Sequence, residues 1–130
     1  MQKIKNIGVT LQNKVSSSLN LRGQKQYVVS KYDLVPGAHL TVRRRIPFSY
    51  THHGLYLGFG LVIHYDFEKI CIIRLEDFNK KEPLYIIKNQ RGKYDVAMAI
   101  MRAVSRLGEQ KYSLITNNCE HFVRWCLGVD

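Results

Sequence analysis

The chain is short of cysteine and of acid, and it has no long apolar run. Its three cysteines, Cys71, Cys119 and Cys126, are an odd number with no Cys-x-x-Cys spacing. That usage disfavours a disulfide scaffold and points to a reducing, cytoplasmic setting. No stretch approaches the roughly eighteen apolar residues of a membrane span, and the N-terminus lacks the apolar core of a secretory signal. The expectation is a soluble or peripherally attached protein. There is no internal repeat and no low-complexity tract. Only 10 Asp and Glu stand against 20 Lys and Arg, a net charge of +10 that favours anionic partners, either phospholipid surfaces or nucleic acid. With 45% hydrophobic residues, 130 residues can bury one ordinary core.

What is present concentrates in two tracts. The first is Thr116-Asn117-Asn118-Cys119-Glu120-His121-Phe122-Val123, near the C-terminus. Cys119, Phe122, Val123 and Cys126 recur at helical spacing, so the sulfur shares a buried face. Asn117 with Glu120 three residues on reads as a capping pair, which makes Cys119 the second helical residue. A thiol there feels the positive end of the helix dipole and ionises more easily. Free N–H groups of the first turn, with Asn118 and Glu120 beside them, could support an oxyanion.

The second tract runs from Tyr50 to Tyr65 and contains His52, His53 and His64. Gly58-Phe59-Gly60 separates two aromatic and branched runs, predicting a hairpin. If the strands pair about Phe59, facing positions sum to about 118, so His52 and His64 meet at its open end on one face. The set then resembles a Cys, His, His triad: the thiol attacks, one imidazole takes its proton, and the other orients the first. His53 falls on the opposite strand face and reads as a solvated or packing residue.

The Thr-His-His-Gly-Leu-Tyr-Leu-Gly and Asn-Asn-Cys-Glu-His-Phe-Val tracts resemble the signature boxes of the lecithin:retinol acyltransferase-like family. Val35-Pro36-Gly37-Ala38-His39-Leu40 and the Ala103 to Glu109 approach, followed by Tyr112-Ser113-Leu114, add to the likeness, which covers about residues 33 to 128. The resemblance implies an α+β fold of the permuted papain-like, NlpC-like kind, with an antiparallel sheet packed against C-terminal helices and the nucleophile at a helix N-terminus. It also implies Cys119 as nucleophile, His52 as base and His64 as third member. His52 rather than His53 keeps the family spacing to Gly54, Tyr56 and His64. Aspartates common in the family are replaced by Ala38 and Phe59, and membrane-anchored members continue into a hydrophobic tail where this chain stops at Asp130.

The implied activity is thiol acyl transfer or phospholipase A action on a glycerophospholipid ester, through an acyl-Cys119 thioester passed to water, an amine or an alcohol. One alternative is a non-catalytic RNA- or protein-binding module, like viral proteins with the same boxes. Another is an NlpC-type cysteine peptidase or amidase. No cofactor is expected, and no metal, since the spacings of Cys119, His121 and Cys126 match no zinc signature. His121 reads as a polar partner at the helix start, His39 as an ordinary strand residue, and Cys71 as an inert strand residue. Arg43, Arg44 and Arg45 precede the histidine loop and are read as an anion-binding cluster for head groups.

Two parts are expected: a basic segment over residues 1–30, helical by the spacing of Ile4, Ile7, Leu11, Val15 and Leu19, and a catalytic domain over 31–130. Strands are predicted at 38–42, 52–57, 61–65, 70–74 and 84–87, with helices on one side of the sheet. Asp95 is predicted to cap a helix whose apolar positions are Val96, Ile100, Val104 and Leu107, ending at Gly108.

Overall fold

The structure, a computed structural model, describes residues 24–129. The expected N-terminal helix lies outside the described residues. Strand β1 (Gln24–Tyr27) comes first, followed by β2 (His39–Arg44), β3 (Tyr50–Gly58), β4 (Leu61–Tyr65) and β5 (Ile70–Arg74). A short helix α1 (Leu75–Asn79) leads to β6 (Leu84–Lys88), then α2 (Val96–Ser105) and α3 (Cys119–Leu127). The six strands form one antiparallel sheet in the order β1-β6-β2-β3-β4-β5.

The β3–β4 hairpin has the register the sequence predicts: Gly54 faces His64, Leu55 faces Ile63, and Tyr56 faces Val62. Its turn requires left-handed backbone at three successive residues, Gly58, Phe59 and Gly60. Phe59 takes that conformation without a glycine's freedom and stands fully exposed. Strand alternation then sorts the side chains. Leu40, Val42, Tyr56 and Val62 share one face with Leu75 and Phe78 of α1. Leu55, Ile63 and Tyr65 share the other with Ala103 of α2 and with Cys119, Phe122, Val123 and Cys126 of α3.

Helices therefore cover both faces of the sheet, not one as expected. Helix α1 escaped the sequence pattern because five residues are too few to show a period. Strand β1 escaped it because Gln-Lys-Gln-Tyr carries no apolar alternation, and it lies at the sheet edge beside β6. Among the described residues the sheet thus begins at Gln24, within the segment read as separate.

Helix α2 starts where expected, Asp95 accepting from the Met98 N–H at 2.9 Å. Its buried face differs: Ala99 and Ala103 are fully buried, whereas Val96, Val104 and Leu107 are about half exposed. The small alanines face the core, so α2 needs little space there. Arg102 helps to dock α2 on α3 by donating to the Trp125 carbonyl at 2.9 Å and stacking over its ring. Among the described residues, no helix is long and apolar enough to cross a membrane.

Candidate active site

Helix α3 begins one residue later than the expected cap. The Asn118 side chain accepts from the His121 N–H at 2.9 Å, and the Asn118 N–H donates to His121 Nδ1 at 3.3 Å, closing a capping box. Asn117 cannot act as the cap because its backbone pairs in both directions with Ser113. Cys119 is consequently the first helical residue. The Asn118 amide also donates to the Leu114 carbonyl, so its side chain is committed to holding the turn.

The environment of the sulfur differs from expectation as well. Burial pushes the Cys119 thiol above its ordinary range, although N–H groups of His53, Glu120 and Cys119 itself favour the thiolate. The helix terminus acts in the expected direction, but desolvation outweighs it. At neutral pH the resting group is a thiol.

His52 and His64 meet at the open end of the hairpin, with His52 Nε2 2.7 Å from His64 Nδ1. Phe78 of α1 packs against both rings, at 5.4 Å and 5.9 Å between centroids. Burial lowers the pKa of both imidazoles; His64 and Arg44 lower His52 further, while the nearby Asp66 only partly offsets burial at His64. Both rings are neutral at pH 7, and each carries a single N–H.

Beyond His64 the chain of polar contacts continues. Its Nε2 lies 3.4 Å from Cys71 Sγ, which donates to Asp66 Oδ2 at 3.5 Å. Asp66 Oδ1 accepts the N–H groups of Glu68 and Lys69 at 2.7 and 2.6 Å. Cys71, a strand residue, is thus hydrogen-bonded into this polar chain. Burial, the Asp66 charge and this hydrogen bond raise its pKa to about 11. The signal was present in the sequence: a tight β4–β5 turn places Cys71 directly opposite His64.

At the other end of this chain, His52 Nδ1 is buried and has no hydrogen-bond partner. The Cys119 sulfur lies at the backbone N–H of His53, the adjacent residue. Two residues within electrostatic range of Cys119 also bear on His52. Tyr50 packs edge-on to its ring at 6.0 Å, and Arg44 acts on its pKa. A cavity of about 310 Å³ opens beside the pair, lined by Arg44, Tyr50, His52, His64, Asp66 and Lys80 among others.

His53 occupies the opposite face as expected, but it is neither solvated nor alone. His39 Nε2 lies 2.8 Å from His53 Nδ1, and His39 Nδ1 lies 2.8 Å from Gln90 Oε1. Burial lowers His53 to about 3 and His39 to about 4. The 3.9 Å approach of His53 Nε2 to Glu120 is therefore a polar contact rather than an ion pair at neutral pH. This pair depends on the β2–β3 register across an irregular loop, and local pattern does not fix it.

The arginine triplet divides. Arg44 is half buried at the histidine cavity, its guanidinium 5.6 Å from the Phe78 ring and its Nη1 buried without a partner. Arg45 is exposed and paired with Glu82 at 3.2 Å. Arg43 is exposed and lines a separate groove with Lys25 and Thr41. Strand alternation prevents the expected convergence. Cys126 is fully buried, and burial pushes its thiol to about 12, as suits a core residue.

Cys119 sits on the first turn of α3 and packs on the sheet face that carries His53, whereas the linked His52–His64 pair lies on the α1 face beside Phe78, and among the described residues no hydrogen bond joins Cys119 to His52. The model of the lecithin retinol acyltransferase family matches residues 32–128, most of the chain, and the protein belongs to that family. Membership points to acyltransferase or hydrolase chemistry in general. No curated protein matches the sequence.

Proposed function

We propose that the protein is a thiol-dependent acyltransferase or phospholipase A acting on glycerophospholipid esters, with Cys119 as nucleophile, His52 as base and His64 as its orienting partner. The observation that carries this reading is the bare, buried Nδ1 of His52 on β3, the strand whose next residue, His53, offers its N–H to the Cys119 sulfur. The polarity of the hydrogen-bond chain supports it. Asp66 only accepts, so the Cys71 S–H points at Asp66 and its sulfur accepts from His64 Nε2–H. The other His64 nitrogen then accepts from His52 Nε2–H, leaving the Nδ1 lone pair of His52 free for the thiol proton.

Because burial keeps Cys119 protonated, proton transfer to His52 accompanies attack on the ester carbonyl rather than preceding it. The sulfur–carbon bond forms, and the oxyanion draws on N–H groups of the first turn of α3. The imidazolium then protonates the departing alcohol, the ester C–O bond breaks, and an acyl-Cys119 thioester remains. Water, an amine or an alcohol takes the acyl group in the second half. The unpaired Arg44 Nη1 at the cavity suits a phosphate head group.

The test is incubation with mixed glycerophospholipid vesicles followed by intact-mass spectrometry. An acyl-sized increment on Cys119, released by hydroxylamine and absent from Cys119→Ala, is the expected result. Absence of both adduct and released fatty acid would overturn the reading.

A further inference from the structure

We propose that His64, Asp66 and Cys71 form a binding site for a zinc-class divalent cation, and that its occupancy switches off the base His52. The donor set of one imidazole nitrogen, one carboxylate oxygen and one sulfur is the kind that such ions take. All three donor atoms lie within 4.8 Å of one another. Zinc bonds of about 2.0 Å to nitrogen or oxygen and 2.3 Å to sulfur give tetrahedral edges of about 3.5 Å. The two edges at Cys71 Sγ measure 3.4 Å to His64 Nε2 and 3.5 Å to Asp66 Oδ2.

Support around the ligands is also in place. Two backbone N–H groups fix Asp66 Oδ1 and so aim Oδ2 at the site. His52 holds the second nitrogen of His64. The adjoining cavity of about 310 Å³ provides an approach and room for water as fourth ligand. Arg44 and Lys80 line that cavity, but a dication with the Cys71 thiolate and the Asp66 carboxylate has no net charge, so these cations face a neutral complex.

The switching effect rests on the proposed role of His52. Binding releases the Cys71 thiol proton to solvent and requires a bare Nε2 on His64. The His64 proton must then sit on Nδ1, facing His52 Nε2, so His52 Nε2 becomes the acceptor. The His52 Nε2 proton passes across the hydrogen bond to His64 Nδ1, and the proton gained at His52 Nδ1 occupies the lone pair that would take the Cys119 proton. One proton passes from His64 Nε2 to His52 Nδ1 through solvent, and none is created or lost.

Cobalt(II) reports the site without any substrate. Titrated into Cys119→Ala protein, it should give a thiolate-to-cobalt charge-transfer band and tetrahedral d–d bands saturating at one equivalent. Both should vanish in Cys119→Ala/Cys71→Ser and persist in Cys119→Ala/Cys126→Ser. No bands, or bands that survive loss of Cys71, would overturn the site. In the wild-type chain, zinc should slow iodoacetamide alkylation of Cys119 by about tenfold or more, since a general base contributes on the order of 10²-fold. A chelator should restore the rate, and Cys71→Ser should be insensitive to zinc. Cobalt spectra as expected with alkylation unchanged by zinc would overturn the switch. A missing acyl-enzyme would leave the spectra unaffected and so would count against the catalytic reading alone.

Discussion

Substituting Gly54 by alanine tests the packing that seats the histidine pair. Gly54 lies within β3, where regular strand backbone normally makes alanine more favourable than glycine by about 0.5–1 kcal/mol. Here an added Cβ would lie 2.7 Å from Phe78 Cε1 and 2.7 Å from Val62 Cγ1, both in the buried core. Neither neighbour is a flexible side-chain end, so overpacking of about 1–3 kcal/mol outweighs the backbone gain. A net loss of about 1 kcal/mol corresponds to a fall in Tm of roughly 4 °C for a chain of this size. Differential scanning calorimetry on wild type, Gly54→Ala, Phe78→Leu and the double variant measures it. Because Phe78→Leu removes the ring the new methyl strikes, the two changes should couple by about 1 kcal/mol or more in the relieving direction. An unchanged Tm for Gly54→Ala, or additivity of the pair within about 0.5 kcal/mol, would refute the packing assignment.

Alkylation of Cys119 by iodoacetamide should accelerate through the alkaline range without a plateau below neutrality, because burial keeps the thiol protonated; a plateau near pH 6 would indicate a preformed thiolate. Hydrogen bonding to Arg106, at 2.7 Å, holds Glu109 down to about 2, so its stabilising effect is complete above the ordinary carboxylate range and is lost as pH falls towards 2. Urea midpoints over that window should fall more steeply for wild type than for Glu109→Gln, and parallel profiles would count against the link. Asn118→Ala removes the α3 cap and should cost about 1 kcal/mol in urea denaturation; an unaltered midpoint would mean the cap contributes nothing.

Features set by short-range geometry were legible in the sequence. The β3–β4 register follows from one tight turn and the strand period, so the meeting of His52 with His64 could be read before any coordinates. The α3 start was legible to within one residue, and the error arose because Asn117 and Asn118 are equal candidates until Ser113 pairs with one of them. The link from His39 to His53 and Gln90 was not legible, since it joins three segments whose pairing no local pattern dictates. The ionisation of Cys119 was misjudged for a related reason: a helix terminus is visible in sequence, while the desolvation that opposes it appears only with packing. In α2 the larger apolar residues suggested the buried face, whereas the core receives Ala99 and Ala103.

The adjacent histidines of β3 bear on how the chain avoids a wrong fold. A slip of one residue in this strand would exchange its two faces. A slip that brings His53 to the place of His52 keeps an imidazole on the α1 face, while Gly54 takes the place of His53 on the other. On the α1 face the doublet therefore gives little discrimination against the slipped state. Discrimination falls to the next residue: slippage would bring the Leu55 side chain against the Phe78 ring, where even a methyl group has no space. The tight space at Gly54 therefore disfavours the slipped register as well as larger residues in the correct one.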